Sequence, residues 1–173
     1  MQELGDCIAR GSFKVTGRLS LPASVKSRSV DTEQGQREVS LDGGQRLILL
    51  TEQGEPFVNL KIERSRDGRF DGDREAVTAQ MEFMRRRSGD AASLISDRRG
   101  GESVLLGLNN PSLGMSIISF YSLFEPKRAL IATAYFLNQK PDRRAFATME
   151  EYTVLRDKAL QELQACLAQG EGT

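Results

Sequence analysis

The sequence contains no histidine and no tryptophan among its 173 residues, and it contains only two cysteines. The absence of histidine removes the commonest general base, the commonest zinc ligand and the base of every Ser-His or Cys-His nucleophile pair. No apolar run approaches the roughly 20 residues that a membrane-spanning helix needs. These absences make an enzyme and a transmembrane protein poor interpretations, and they favour a binding protein.

The charges balance, with 24 lysines and arginines against 24 aspartates and glutamates. A nucleic-acid-binding domain normally carries a basic excess, so we expect no nucleic-acid partner. The length suits one domain, predicted as residues 1–173 with a core over about 12–168. A chain of this size buries roughly 70% of its unfolded surface and needs no metal to fold. No phosphate-binding or dinucleotide-binding glycine motif and no G-x-S-x-G motif occurs, so we predict no catalytic residue, metal or cofactor.

The two cysteines, Cys7 and Cys166, lie at opposite ends of the chain. In an exported protein an even pair favours a disulfide, whereas in a cytosolic protein they would be two unrelated buried thiols. The bond would close a loop of roughly 160 residues, which the chain-entropy model values at about 5 kcal/mol. No signal peptide is visible, but a mature exported protein would look the same. We therefore expect a periplasmic protein with this disulfide, and a cytoplasmic one as the alternative.

Hydrophobic periodicity in the first half of the chain predicts strands followed by a helix. Alternating apolar residues predict a strand from Phe13 to Leu21, ended by Pro22. Strands at 38–41 and 45–51 flank a predicted turn at Asp42-Gly43-Gly44, and another strand spans 58–62. The polar segment 23–36 is predicted to be a loop. A helix is predicted over about 73–88, with Asp73 as its cap.

The second half of the chain repeats the order of strands and then a helix. Strands are predicted at 94–98, 103–108, 114–124 and 129–138, and the last is apolar on both faces, as a central strand is. Thr148 and Glu151 form a capping box for a final helix that runs to about 168. The sequence therefore predicts an α+β fold, an antiparallel β-sheet with two main amphipathic helices packed on it.

This order of elements resembles the PsbP-like α/β/α sandwich of photosystem oxygen-evolving subunits, Mog-type proteins and bacterial DcrB-like envelope proteins. The resemblance spans roughly residues 12–168 and is carried by Leu21-Pro22, Val58–Ile62, Arg74–Met84, Met115–Phe124 and Glu151–Leu167. It implies a small periplasmic protein without catalytic residues. It further implies an immunity protein that binds and neutralises a type VI secretion effector by occluding its active site. The alternative is an envelope or photosystem-type accessory subunit that stabilises a membrane complex.

Two sets of residues are candidates for contact with a protein partner. Polar and apolar side chains in the glycine-bounded segment 107–114 could enter a partner's cleft, although an ordinary hairpin connection explains them equally; they are Asn109, Asn110, Ser112 and Leu113. Arginines could form a cationic surface for an acidic partner, although helix-end charge complementarity explains some of them; they are Arg66, Arg69, Arg86 and Arg98. The acidic loop of Asp67, Asp71, Asp73 and Glu75 lacks the calcium-loop spacing and is interpreted as a solvated loop.

Overall fold

The computed structural model describes residues 1–87, 93–98, 104–109, 117–137 and 145–169, with the backbone alone described for 93–98 and 104–109. Within these residues the chain forms three helices and eight strands. They are α1 (Gln2–Ala9), β1 (Lys14–Ser20), β2 (Ser27–Thr32), β3 (Gly35–Leu50), β4 (Pro56–Ser65), α2 (Phe70–Arg87), β5 (Ser93–Arg98), β6 (Val104–Asn109), β7 (Ile117–Glu125), β8 (Leu130–Leu137) and α3 (Met149–Ala168).

The strands form one antiparallel sheet in the order β1-β3-β4-β8-β7-β6-β5. The remaining strand, β2, pairs with the first part of β3. The predicted α+β fold is therefore confirmed, and β8 lies at the centre of the sheet, as its two-sided apolarity predicted. Helices pack on both faces, so β4 and β8 are largely buried between two layers, whereas β1 at the edge is largely exposed.

Two hydrophobic cores lie on opposite faces of the sheet. The larger core joins α1 and α3 to the sheet and is centred on Phe57. The ring centroid of Phe57 lies 5.3 Å from that of Phe136, 6.0 Å from that of Phe13 and 6.3 Å from that of Tyr152. The smaller core lies under α2, and the helix contributes Phe70, Ala76, Val77 and Met81 to it. The strands are therefore held by apolar contacts on both sides.

A β-bulge lets the single strand β3 serve both cores. Leu41 pairs with Ser65 and Gly44 pairs with Glu63, so β3 contains one more residue than β4 between these pairs. The extra residue reverses the alternation of side chains. As a result Leu41 packs under α2, while Leu47 packs under α1 and α3. The turn predicted at Asp42-Gly43-Gly44 is wrong, because Gly43 (φ +98°) forms the bulge within a continuous strand.

Two further predictions for the first half of the chain are wrong. The segment 23–36 contains the strand β2 and a hairpin turn at Gly35, which has a φ of +102°. Asp73 does not cap α2, which begins at Phe70. The Asp73 side chain is fully buried, and its Oδ1 accepts a hydrogen bond from the backbone N–H of Ser40 at 3.1 Å. Asp73 therefore ties α2 to β3.

The final helix begins as predicted. The Oγ1 of Thr148 accepts a hydrogen bond from the backbone N–H of Glu151 at 3.2 Å. The Glu151 carboxylate in turn accepts one from the backbone N–H of Ala147 at 2.7 Å. These two bonds satisfy donors that a helix start leaves unpaired, so the capping chemistry of the sequence does fix the start of α3.

A disulfide joins the first helix to the last. The Sγ atoms of Cys7 and Cys166 are 2.07 Å apart, which confirms the predicted pairing. The helix α1, which the sequence did not indicate, is also held by Leu4 and Ile8 in the larger core. The bond is compatible with an oxidising compartment. Among the described helices, none has the length and apolarity needed to cross a membrane.

Candidate functional site

The helix α2 covers only part of its face of the sheet. It packs over β2, the first part of β3 and the apolar residues of β7, whereas the side chains on the same face nearer β1 are exposed or half-buried. A depression of about 430 Å³ lies there. We call this region the open sheet face and define it by the residues whose side chains it displays, which are Leu19, Arg46, Ile48, Asn59, Lys61 and Tyr135.

Strand register places these side chains in two rows. Leu19 pairs with Arg46, which pairs with Lys61. In the next row Ile48 pairs with Asn59, which pairs with Tyr135. Directly opposed residues on antiparallel strands have Cβ atoms about 5 Å apart, so both rows are continuous. Four strands thus combine cations, aliphatic side chains and an aromatic ring in one patch.

A second bulge, at the edge strand, displays Leu19 on this patch. The register passes from Thr16 opposite Ile48 to Leu19 opposite Arg46, so β1 contains one extra residue. Gly17 lies within the bulge with a φ of +58°, a conformation that glycine adopts without strain. The Leu19 side chain is 67% exposed. Its display is therefore a consequence of the bulge.

Positive charge is in excess at the open sheet face. The buried carboxylate of Glu63 accepts from Nε and Nη2 of Arg28, each at 2.8 Å. The ammonium of Lys61 lies 3.8 Å from the same carboxylate, which is longer than a normal hydrogen bond. Arg46 also acts electrostatically on Lys61, so among the described residues three cations share this region with one carboxylate.

Burial perturbs two titratable groups at this site. Desolvation lowers the pKa of Lys61, and Arg28 and Arg46 lower it further, while Glu63 opposes them. Desolvation also raises the pKa of the Tyr135 phenol. The Lys61 side chain is only 17% exposed, so its charge is poorly hydrated. An incoming anion would therefore improve its environment.

The floor of the depression is aromatic. The Lys61 ammonium lies 5.8 Å from the ring centroid of Tyr135, within the range of a cation–π contact. Tyr135 stacks at 5.7 Å on Phe120, which is buried under α2. The other aromatic residues of β7 and β8 include Tyr121, Phe124 and Phe136. Those residues are buried, whereas Tyr135 is half-buried and marks the border of the region that α2 covers.

A second depression, of about 640 Å³, lies between the start of α3 and the β3–β4 turn. Val154 is 68% exposed there. Its charged residues, including Glu52, Glu150 and Lys158, are exposed, so water screens them. The partly buried cations of the open sheet face interact more strongly with a ligand, and that face is the better candidate site.

A buried polar cluster between β7 and α3 could be mistaken for a catalytic site. The hydroxyl groups of Ser119 and Tyr152 are hydrogen-bonded, and the guanidinium carbon of Arg156 lies 5.8 Å from the ring centroid of Tyr121 and 5.7 Å from that of Tyr152. Burial raises the pKa of both tyrosines. Neutral phenols are poor bases, so this cluster offers Ser119 no activation as a nucleophile. Its contacts join α3 to the sheet.

Comparison with known proteins finds no match for this chain among family models, curated proteins or solved structures. The resemblance to the PsbP-like sandwich consequently remains a prediction. Any function has to be argued from the geometry of the candidate site.

The predicted arginines do not form one described surface. Arg66 donates to the backbone carbonyls of Leu41 and Lys26, each at 3.3 Å, and Arg69 precedes α2 on the surface. Arg86, at the other end of α2, donates to both carboxylate oxygens of Glu33 at 2.7 Å. A helix of this length separates its ends by about 25 Å. The side chain of Arg98, at the end of β5, lies outside the described part of the structure.

The predicted polar segment is described only at its start. Asn109 is the last residue of β6 and pairs with Ser93 and Ser119. The other three candidates, Asn110, Ser112 and Leu113, lie outside the described residues. Their proposed contact with a partner stays a prediction.

The prediction of an acidic loop is wrong for three of its four residues, because Asp71, Asp73 and Glu75 lie within α2. The Asp71 carboxylate lies 3.1 Å from Arg74, and Glu75 lies 3.8 Å from Arg37. In the described ranges, no group of three or more side chains is placed to hold a metal ion. Asp73 is fully buried, so the interpretation of this set as solvated is also wrong for that residue.

Sequence reasoning missed the residues of the open sheet face. The alternation of Asn59, Lys61 and Glu63 with apolar neighbours does indicate a solvent-facing side of β4. What it lacks is the pairing of β4 with β3 and of β3 with the bulged strand β1, which together set Lys61, Arg46 and Leu19 side by side. The pattern of each strand can be seen in its own residues, but the sequence does not indicate which strands lie side by side.

Proposed function

We propose that this chain is a non-catalytic binding protein, and specifically a bacterial periplasmic immunity protein. It would bind a type VI secretion effector and neutralise that toxin by occluding its active site. The partner would dock on the open sheet face through an acidic surface. The observation that carries the proposal is the partly exposed group of Arg46, Lys61, Tyr135 and Leu19, with its excess positive charge.

The composition of the open sheet face supports protein binding. Tyrosine and arginine are enriched where binding energy concentrates in interfaces, and an exposed leucine adds apolar area. Four strands about 4.8 Å apart and five residues long present about 300 Å². A standard interface buries about 800 Å² on each partner. The open sheet face would therefore be the centre of the interface, and neighbouring segments would complete it.

Two further observations support the proposal, one for the periplasm and one for a non-catalytic role. The Cys7–Cys166 disulfide is compatible with an oxidising compartment. The chain contains no histidine, which is the usual base in hydrolytic and nucleophilic catalysis. An inhibitor needs neither a base nor a cofactor, since it acts by covering its target.

The proposal is tested with the effector encoded beside this gene. We expect the purified protein to bind that effector and to protect cells that produce it in the periplasm. Arg46→Glu reverses an exposed charge on the open sheet face and should weaken binding at least about tenfold, as loss of an interface anchor does. Arg10→Glu makes the same change at an exposed position after α1, on the other side of the sheet, and should leave binding unchanged.

The result that would overturn the role is a protein that neither binds nor protects against any co-encoded effector. If Arg46→Glu and Arg10→Glu weaken effector binding equally, the immunity role would stand, but the open sheet face would not be the docking site. Co-purification with a membrane complex, without any toxin-sensitive deletion phenotype, would instead favour the accessory-subunit alternative.

A further inference from the structure

Among the described residues that line the depression of the open sheet face there are two cations, Arg46 and Lys61, and no acidic side chain. Arg28 occupies both oxygens of the Glu63 carboxylate, with three contacts of 2.8 to 3.0 Å. Lys61 is held 3.8 Å from that carboxylate. Arg28 makes the closer ion pair with Glu63, and Lys61, at the longer distance, also lines the depression that it shares with Arg46.

We propose that this depression receives one carboxylate side chain of the protein partner, an aspartate or glutamate, between Lys61 and Arg46 and above the ring of Tyr135. This inference rests on the proposed function, since it assumes an acidic protein partner. It adds the chemical group that anchors the partner and the residue that recognises it. Lys61 is the specificity-determining residue, and Arg28 with Glu63 positions it.

The donors at the site suit a carboxylate. Both β3 and β4 have paired neighbours on each side, so their backbone N–H groups belong to the sheet ladder. On β3, β4 and β8 the donors that remain are side chains, namely the ammonium of Lys61, the guanidinium of Arg46, the amide of Asn59 and the phenol of Tyr135. These donors match the two oxygens of a carboxylate, whereas protein phosphate sites usually add backbone amides.

The apolar part of the depression suits the stem of an acidic side chain. Leu19 and Ile48 line one side, and the Tyr135 ring lies beneath Lys61. A glutamate could place its methylene groups on these side chains while its carboxylate meets the cations. A bound carboxylate would also offset the desolvation that now disfavours the charged form of Lys61.

The test uses a hexaglutamate peptide as the probe and follows the isotope-labelled protein by NMR at low ionic strength. We expect saturable binding that moves the Tyr135 ring and Lys61 side-chain signals, and no such effect with hexalysine. Lys61→Met should weaken hexaglutamate binding at least about fivefold, since it removes a partly buried partner of the carboxylate. Arg46→Gln, at an exposed position, should weaken it about two- to threefold because solvent screens that charge.

Lys158→Met is the matched control. It removes an exposed lysine from α3, on the opposite face of the sheet, and should leave hexaglutamate affinity unchanged. Inorganic phosphate is titrated as a second probe. Saturation of the Lys61 signals by phosphate but not by hexaglutamate would overturn the proposal in favour of a small-anion site.

Two other results would overturn the proposal. One is wild-type affinity for hexaglutamate in both Lys61→Met and Arg46→Gln. The other is a set of non-saturating shifts spread over exposed cations. None of these measurements uses the effector, so the carboxylate site can stand if the immunity role fails. Conversely, if Lys61→Met binds the effector as tightly as the wild type does, the carboxylate anchor would be rejected while the immunity role would stand.

Discussion

Breaking the bond between Cys7 and Cys166 should destabilise the protein through its unfolded state. The cysteines are 159 residues apart, and the chain-entropy model assigns about 5 kcal/mol to a crosslink that closes such a loop. In the folded protein α1 would remain docked, because Leu4 and Ile8 are buried and Asp6 binds Arg18 at 2.8 Å. The loss of stability is therefore expected to come from the larger freedom of the unfolded chain.

Cys7→Ser is the variant of choice, because Cys7 is half-buried and Cys166 can stay packed as a thiol. For a chain of this length, 1 kcal/mol corresponds to about 2–4 °C, so the melting temperature should fall by about 10–20 °C. Thermal and urea denaturation measure the effect without reductant. The urea m-value should rise in the variant, because the unfolded chain without the crosslink exposes more surface.

Reductant and a matched substitution provide the controls. With reductant present, the wild type and Cys7→Ser should melt together. Ala165→Ser introduces serine at an exposed position beside Cys166 and should change stability by less than about 0.5 kcal/mol. If the wild type and Cys7→Ser melt alike without reductant, the entropic argument fails and the case for an oxidising compartment loses its main support.

Three further substitutions test the site and the final helix. Arg28→Met should cost about 3 kcal/mol in urea denaturation because it leaves the Glu63 carboxylate, 4% exposed, with only the more distant Lys61 as a partner among the described residues. Adding Glu63→Leu should restore most of the loss, and a double variant as unstable as the single one would contradict this. Burial in the folded state lowers the pKa of Lys61 below its ordinary value of 10.5. At neutral pH the protonated Lys61 therefore destabilises the folded state, and this destabilisation disappears as the pH rises through the folded-state pKa toward 10.5. The stability of Lys61→Met relative to the wild type should therefore be greatest near neutral pH and decline toward pH 10.5, whereas parallel pH profiles would refute the assigned direction. Thr148→Ala should lower stability by about 1 kcal/mol in thermal denaturation. Thr148→Asn should keep most of the wild-type stability, because asparagine can accept the same hydrogen bond, and equal losses in the two variants would reject the capping role.

Local chemistry was sufficient to predict the elements that form from their own residues. The start of α3 follows from Thr148 and Glu151, and the central position of β8 follows from its apolar faces. The helix α1 escaped prediction because it has only eight residues, and helices so short are marginal without tertiary support. Leu4, Ile8 and the disulfide supply that support.

Glycine explains the largest error in the strand prediction. A glycine pair after an aspartate is a strong turn signal, but a bulge inside a long strand uses the same positive φ at Gly43. Only the pairing of β3 with β4 on both sides of Gly43 shows that this segment is a bulge within one strand and not a turn between two strands. The candidate site depends on this kind of long-range register, because Lys61, Arg46 and Leu19 come from three strands. Their proximity is therefore invisible in any one segment.

The disulfide also sets an order of events in biosynthesis. Cys7 leaves the ribosome before its partner, which follows 159 residues later. At about 5–20 residues per second, the first thiol waits roughly 10–30 seconds for the second. The helix α1 cannot be locked in place until α3 has emerged and packed on the sheet. Formation of the disulfide therefore follows the synthesis of α3, and it requires that α1 and α3 have both reached their native positions.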